Sequence, residues 1–363
     1  MRIPGRRTSW PAYAAIGWAA VYTLLGLYWW AGGAWFPFGT GDPRAADDGA
    51  LLAGATAPVL GPVTVALGLA GVAAGWAMSR RVRRPRPVLL VFGWTLAALL
   101  AVVLPESRAI KYLPPLGFIA FFRPPDPPTL NFLVLLVGGL VWAAATLGYA
   151  RATRGACAAC GHGPGRRHGA GAPGAWAVRW GRPVTYLAIA APWVYAASRI
   201  GWAFGVPIGV PAEFLDTINA NNPGHGTMIM ELVLAGLAIG GSILTVGLIR
   251  PWGEIFPRWI PWLAGRRVPP AFPVGCAGLV SVGVTAFGLS MSRGLPEFFA
   301  GGMVVDGYQM NPLWALPPLA FLVWGPALAL AALAYDARHP ARCWDPAHAA
   351  GPRGLVLKTR ANP

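Results

Sequence analysis

Hydrophobic residues along this chain gather into eight long runs, at approximately 11–31, 54–78, 87–104, 130–150, 183–204, 225–249, 271–291 and 313–335. Shorter stretches rich in arginine, glycine and proline separate them. Runs of about 20 apolar residues suffice to cross a bilayer core of about 30 Å as a helix. Inside lipid the backbone must satisfy its own hydrogen bonds, which in an apolar run of this length means α-helix. The pattern therefore predicts an all-α integral membrane helical bundle of about eight transmembrane helices. Pro58, Pro62, Pro317, Pro318 and Pro326 fall inside the runs. Membrane helices tolerate them where neighbouring helices, hydroxyls or water take up the freed carbonyls.

The runs are not independent of one another. LGLAGVAAG at Leu67 to Gly75 in the second resembles LVLAGLAIG at Leu232 to Gly240 in the sixth. Val21-Tyr22 with Trp29 seven residues after the tyrosine, in the first, is echoed by Val194-Tyr195 with Trp202 in the fifth. The third and seventh end in Ser-Arg, at Ser107-Arg108 and Ser292-Arg293, and the fourth and eighth share LVW, at Leu140 to Trp142 and Leu322 to Trp324. Tyr149 and Tyr335 each precede a cysteine by eight residues, Cys157 and Cys343. Because the matches keep their order, two tandem parallel four-helix halves are expected, related by an axis along the membrane normal. Under this register Gly26 and Ala66 occupy the places of Arg199 and Glu231. Small residues four apart, Gly71 and Gly75 in one half and Gly236 and Gly240 in the other, let helices approach closely. They nominate the second and sixth runs as the contact between halves.

Charge orients the bundle. With the N-terminus inside, 23 lysines and arginines fall in cytoplasmic stretches and 5 in outer ones, an asymmetry that fixes both termini in the cytoplasm. The resulting division is 1–150 for the first half, 151–182 for a cytoplasmic linker, 183–335 for the second half and 336–363 for a cytoplasmic tail. The expected location is the inner (plasma) membrane. The first run resembles a signal peptide's apolar core but is longer and ends in Tyr28, Trp29 and Trp30, so it reads as a retained span.

Composition agrees: 55% of residues are hydrophobic, 12% charged, and the mean hydropathy is +0.51. In a soluble protein a net charge of +16 would suggest nucleic acid. Here the charge is dispersed over alternate loops, so the expected partner is the lipid bilayer and no nucleic acid. Lysine occurs only at Lys111 and Lys358, a high-GC signature that points to an actinobacterial source. The stretches YARATRGACAACGH, RWGRPVTY and WVYAASRIGWAFGVPIGV resemble multi-pass membrane proteins of actinobacteria that have no assigned activity. The resemblance covers about a third of the chain and implies the fold but no mechanism.

Two places carry candidate chemistry. The linker reads CAACGHGPGRRH, and Cys157, Cys160 and His162, with His168, Cys343 or His348 completing a tetrahedron, form a candidate zinc site. One C-x-x-C pair is half a site, and a dithiol redox pair or silent cysteines remain open readings. Cys276 reads as a small core residue. Within the spans, Arg199 lies five residues, about 7.5 Å, from the outer end of its run, and Glu231 six residues, about 9 Å. Equal depth on successive antiparallel helices predicts that they answer each other's desolvation. Asp216, Asn222 and His225 in the intervening loop extend this into a candidate substrate-binding site for a polar solute, a proton or a lipid headgroup.

Walker, H-E-x-x-H, G-x-S-x-G and aspartate-rich diphosphate motifs are absent from the sequence. Three classes of function remain. One is a small-molecule or lipid carrier using Arg199 and Glu231 at the interface between halves, with the halves moving against each other. The second is a membrane enzyme on a lipophilic, for example isoprenoid, substrate with Glu231 as its catalytic acid. The third is a scaffold or sensor acting through the cysteine-bearing linker. Of the three, the carrier is slightly preferred.

Overall fold

The computed structural model describes residues 10–45, 50–110, 112, 124–156, 173–256, 258, 261–301, 304–305 and 307–339. About 74% of these are helical. The long helices are α1 (Trp10–Trp30), α2 (Ala57–Ser79), α3 (Arg86–Ala98), α5 (Pro127–Thr153), α6 (Pro173–Ala203), α8 (Gly226–Val246), α9 (Ala271–Ser292) and α11 (Leu316–Arg338). Short helices α4 (Ser107–Ile110), α7 (Ala212–Asn221) and α10 (Leu295–Gly301) and a two-stranded hairpin, β1 (Val304–Val305) with β2 (Tyr308–Gln309), lie between them. A π-helical turn, Leu99–Val103, prolongs α3.

Seven of the eight long helices are long and apolar enough to cross a membrane. The other, α6, falls short in apolarity because Arg179, Arg182, Arg199, Pro183 and Pro192 lie on it. It is also longer than its apolar run, since it begins at Pro173 and takes in ten residues read above as linker. Its 31 residues extend about 46 Å, more than the bilayer core needs. The extra turns carry Trp176, Arg179 and Trp180, with the Arg179 guanidinium 5.6 Å from the Trp180 ring centroid, a composition suited to a headgroup region.

Packing follows one scheme in both halves. Helix α1 packs on α2 and α5 while α3 packs on α5; likewise α6 packs on α8 and α11 while α9 packs on α11. The buried face of α1 is a heptad stripe, Ala12, Ala15, Ala19, Tyr22, Gly26 and Trp29. Helix α6 turns the corresponding stripe inward, with Thr185, Ala188, Pro192, Tyr195, Arg199 and Trp202 at the same spacing. Buried tryptophans of α5 and α11 lean on glycines of the second helix of each half. A Cβ on Gly71 would lie 3.2 Å from Trp142, and one on Gly241 would lie 3.4 Å from Trp324.

The glycines nominated for the contact between halves do other work. Gly71 and Gly75 receive α1, since a Cβ at either would meet Ala19 or Ile16 at 3.0 and 2.8 Å. Gly236 and Gly240 face open space. The halves meet instead where the π turn and α4 pack on α9. There the Ser107 amide donates to Ser290 Oγ at 3.0 Å, and the Arg293 guanidinium donates to the Val103 carbonyl. The two Ser-Arg ends thus converge on one joint.

Candidate functional site

Arg199 and Glu231 meet: Nη1 of the arginine lies 3.3 Å from Oε2 of the glutamate. They come together because each lies on the buried stripe of its helix, a little more than one turn from the end of α6 and the start of α8. Their side chains are 15% and 8% exposed. The guanidinium is also held between two rings of its own helix, 4.7 Å from the Tyr195 centroid and 4.2 Å from that of Trp202. Ring faces attract a guanidinium and leave its edge for hydrogen bonds. That edge is not filled, because Nε is buried and has no hydrogen-bond partner among the described residues.

Beside Arg199 lies a cleft of about 70 Å³ between α6, α9 and α11. Its walls are Tyr195, Trp202, Phe287, Trp314 and Phe321, with Ser198, Ile208, Met291, Leu313, Pro317 and Pro318, and among the described residues Arg199 is the one charged side chain lining it. The loop after α6 shapes the outer wall. Gly209 has φ +84°, a conformation natural to glycine, and a Cβ there would lie 3.0 Å from the Trp314 amide. The turn brings the Ile208 carbonyl to the Trp202 indole, which donates to it at 2.8 Å. Over this end sits a small aromatic cap, in which Phe214 contacts Trp202 and Tyr308, and Thr217 Oγ1 lies 2.7 Å from the Tyr308 hydroxyl.

The remaining loop residues expected at this site are elsewhere. Asp216, Asn222 and His225 are exposed and none lines the cleft. Asn222 donates back to the Ile218 carbonyl at 2.9 Å and closes the end of α7, a local role common for asparagine. His225 precedes the first turn of α8 without a side-chain cap. Glu231 touches Arg199 but is not among the lining residues. The cleft is thus more apolar than the sequence suggests, because the polar loop residues point to its surroundings and the aromatic ones point in. Cys157, Cys160, His162, His168, Cys343 and His348 lie outside the described residues. Among the described residues no group of three or more His, Cys, Asp or Glu side chains is placed to hold a metal. Cys276 is exposed on α9 rather than in a core.

The structure also adjusts the register between halves. The partner of Gly26 across α1 and α2 is Thr64, whose Cβ would lie 3.1 Å from a Cβ on Gly26. Thr64 on α2 thus faces Gly26 on α1 as Glu231 on α8 faces Arg199 on α6, while Ala66, two residues further on, is exposed. Sequence identity matches the buried Gly71 and Gly75 with Gly236 and Gly240, which face open space, whereas a shared pattern of burial matches Thr64, Gly68, Gly71, Gly75 and Met78 with Glu231, Ala235, Ala238, Ser242 and Thr245.

A second ionic cluster went unrecognised in the sequence. Arg108 sits between two buried carboxylates, those of Asp42 and Glu106; the three side chains are 6%, 1% and 2% exposed. Nη1 donates to Asp42 Oδ1 at 3.0 Å and Nη2 reaches Glu106 Oε2 at 2.7 Å, and the guanidinium stacks 5.2 Å from the Phe132 centroid. Gly39, at φ +44° and so close to Ala55 that a Cβ would lie 2.1 Å from its carbonyl, makes the turn that brings Asp42 inside. Across the joint, burial lowers the basicity of Arg293 and the charge of Glu106 partly restores it. The recurrence of Ser-Arg at the ends of the third and seventh runs was the available signal. Only the folded loop shows which acids those arginines meet.

The chain matches no protein family model, and no curated protein or solved structure is similar to it.

Proposed function

We propose that this is an eight-span membrane protein of two parallel four-helix halves that carries a small molecule or lipid, bound in the cleft beside Arg199. The observation that carries the reading is the cleft itself: about 70 Å³ walled by aromatic rings, with one arginine whose edge is incompletely used. Binding sites for small molecules have this character, apolar walls with a few convergent polar groups. The shared packing scheme supports the tandem arrangement, since the first helix of each half packs on the second and fourth and the third packs on the fourth. Carriers built from parallel repeats move one half against the other. The cleft lies within the second half rather than at the interface between halves, and reaches the joint only through α9, on which the π turn and α4 pack. The arginine-bearing ends of the helices share one side of the bundle and face the cytoplasm in this reading, with the cleft at the other side. An enzyme that used Glu231 as its acid would need the carboxyl in the cleft, and Glu231 is not among its lining residues.

The test is reconstitution into liposomes, with binding and uptake measured for small amphipathic solutes that are anionic, neutral or cationic. At least one charge class should bind and accumulate with saturation, and lose both properties in Trp314→Ala. No binding by any class defeats the proposal. An orientation check accompanies it: a single cysteine at position 267 should react with an impermeant reagent only after the cells are opened, and one at position 216 before.

A further inference from the structure

We propose that the occupant of the cleft is a monocarboxylate with an apolar body, its carboxylate seated on the edge of Arg199 that Glu231 leaves unengaged. The inference rests on the binding site proposed above and names its ligand class. Three observations carry it.

The first is donor capacity. A guanidinium presents five N–H donors in a planar fork. Glu231 engages it through a single contact of 3.3 Å, longer than the roughly 2.7–2.9 Å of a well-formed charge-assisted bond. Nε is buried and without a hydrogen-bond partner among the described residues, although Arg199 lines the cleft. A second carboxylate offers the in-plane oxygens that such a fork binds.

The second is selection by charge. Among the described residues no acidic side chain lines the cleft, so the guanidinium is the one charge there for an entering cation to meet. A multiply charged oxyanion fits poorly as well, because Arg199 is the one cation among the described lining residues and Glu231 already takes part of its charge, while two of the neutral donors are committed. The Ser198 hydroxyl donates to the Tyr195 carbonyl at 2.8 Å and the Trp202 indole donates to Ile208. A single carboxylate is what the free edge can hold: with Glu231 it already places two negative charges on one guanidinium, and each further charge would add to the uncompensated excess.

The third is the wall. Trp202 and Trp314 lie nearly parallel, 11° apart with centroids at 6.2 Å, and Phe321 closes the space towards Phe287 with ring centroids 5.0 Å apart. These surfaces reward an apolar body behind the carboxylate. A benzoate-sized acid and the head of a fatty acid meet the same description, the first arriving from water and the second from the bilayer.

The experiment uses the full chain in lipid nanodiscs, with direct binding of radiolabelled benzoate and of radiolabelled laurate. Benzyl alcohol and benzylammonium serve as competitors that keep the ring and change the charge. At least one of the two acids should bind saturably, and the alcohol and the cation should compete at least tenfold more weakly. Saturable binding by laurate alone assigns the bilayer as source, and by benzoate alone the aqueous phase. Arg199→Gln with Glu231→Gln, which leaves no uncompensated charge, should weaken the acid at least tenfold and leave the alcohol unchanged. Should that variant fail to fold, Arg199→Lys keeps the charge but loses the planar fork, and should weaken the acid several-fold. Equal binding of alcohol and acid, tighter binding of the cation, or unaltered acid binding in the variant that folds overturns the ligand class. The carrier reading survives the first two results. Absence of binding by all four probes overturns both.

Discussion

Arg108, among the first four long helices, and Arg199, among the last four, are buried arginines accommodated in different ways. In the first half Arg108 lies between Asp42 and Glu106, and the space beside this cluster holds about 10 Å³. Trp29, Phe36, Phe38 and Phe132 fill the surroundings edge to face. In the second half Arg199 has one carboxylate and a cleft of about 70 Å³. The stripe position that Arg199 occupies is Gly26 in the first half, where α1 lies against α2 with backbone at 3.0 Å from a would-be Cβ. The difference separates an arginine that seals a fold from one that, in the function proposed above, recognises a ligand. A guanidinium enclosed by two carboxylates has little capacity for a ligand.

Breaking the sealed cluster should have the largest effect. Arg108→Met leaves Asp42 and Glu106 in a dry interior, and removing one partner of a buried ion pair typically costs about 3–5 kcal/mol. Chemical unfolding in mixed micelles should report a loss of that order. Next comes Arg199→Met, with an expected loss of about 2–3 kcal/mol, less because the vacated volume joins a cleft that water can enter. Adding Glu231→Gln should recover most of it. If Arg199→Met proves as damaging as Arg108→Met, the distinction between sealing and recognising arginines collapses.

Glycines sharpen the comparison at lower energy. Gly68→Ala would press a methyl to 2.2 Å from Thr23 Oγ1 and 3.0 Å from the Ala19 carbonyl, and should cost about 1–3 kcal/mol by overpacking. Gly236→Ala and Gly240→Ala meet nothing within 4 Å and should be neutral or stabilise by a few tenths of a kcal/mol through helix propensity. A marked loss at either would show that this face of α8 is covered in the membrane by another protein surface.

The smallest effect is in pH. Burial tends to raise the Asp126 carboxyl, but hydrogen bonds from Thr129 and Arg44 and the charges of Arg44 and Arg108 outweigh it and hold it below its ordinary range. A depressed folded-state value means stability present above about pH 4, the unfolded value, and lost as pH falls through the folded one. Because the Arg44 and Asp126 side chains are 52% and 37% exposed, the contribution is less than about 1 kcal/mol. Arg44→Ala should reduce that acid-side slope, Thr129 and Arg108 keeping part of it, and leave the neutral plateau within a few tenths of a kcal/mol.

The amino-acid sequence by itself determined the helical class and the placing of eight long helices to within a few residues, α6 excepted at its start. That information is one-dimensional: run length, proline and arginine content decide what lipid admits. It also placed Arg199 opposite Glu231, because depth along two antiparallel helices is counted in residues. Tertiary structure decided what lies beside them. Rotation about a helix axis separates Ala66 from Thr64, and Gly236 from Gly71, yet barely changes a sequence match in Ala, Leu and Gly. Loops are freer still: Asp42 turns inward through Gly39 while Asp216 stays outside, although both read as polar residues between spans. The cleft of Trp202, Trp314 and Phe321 joins residues more than a hundred positions apart. No local pattern encodes that meeting, which arises from the packing of α6 and α9 on α11.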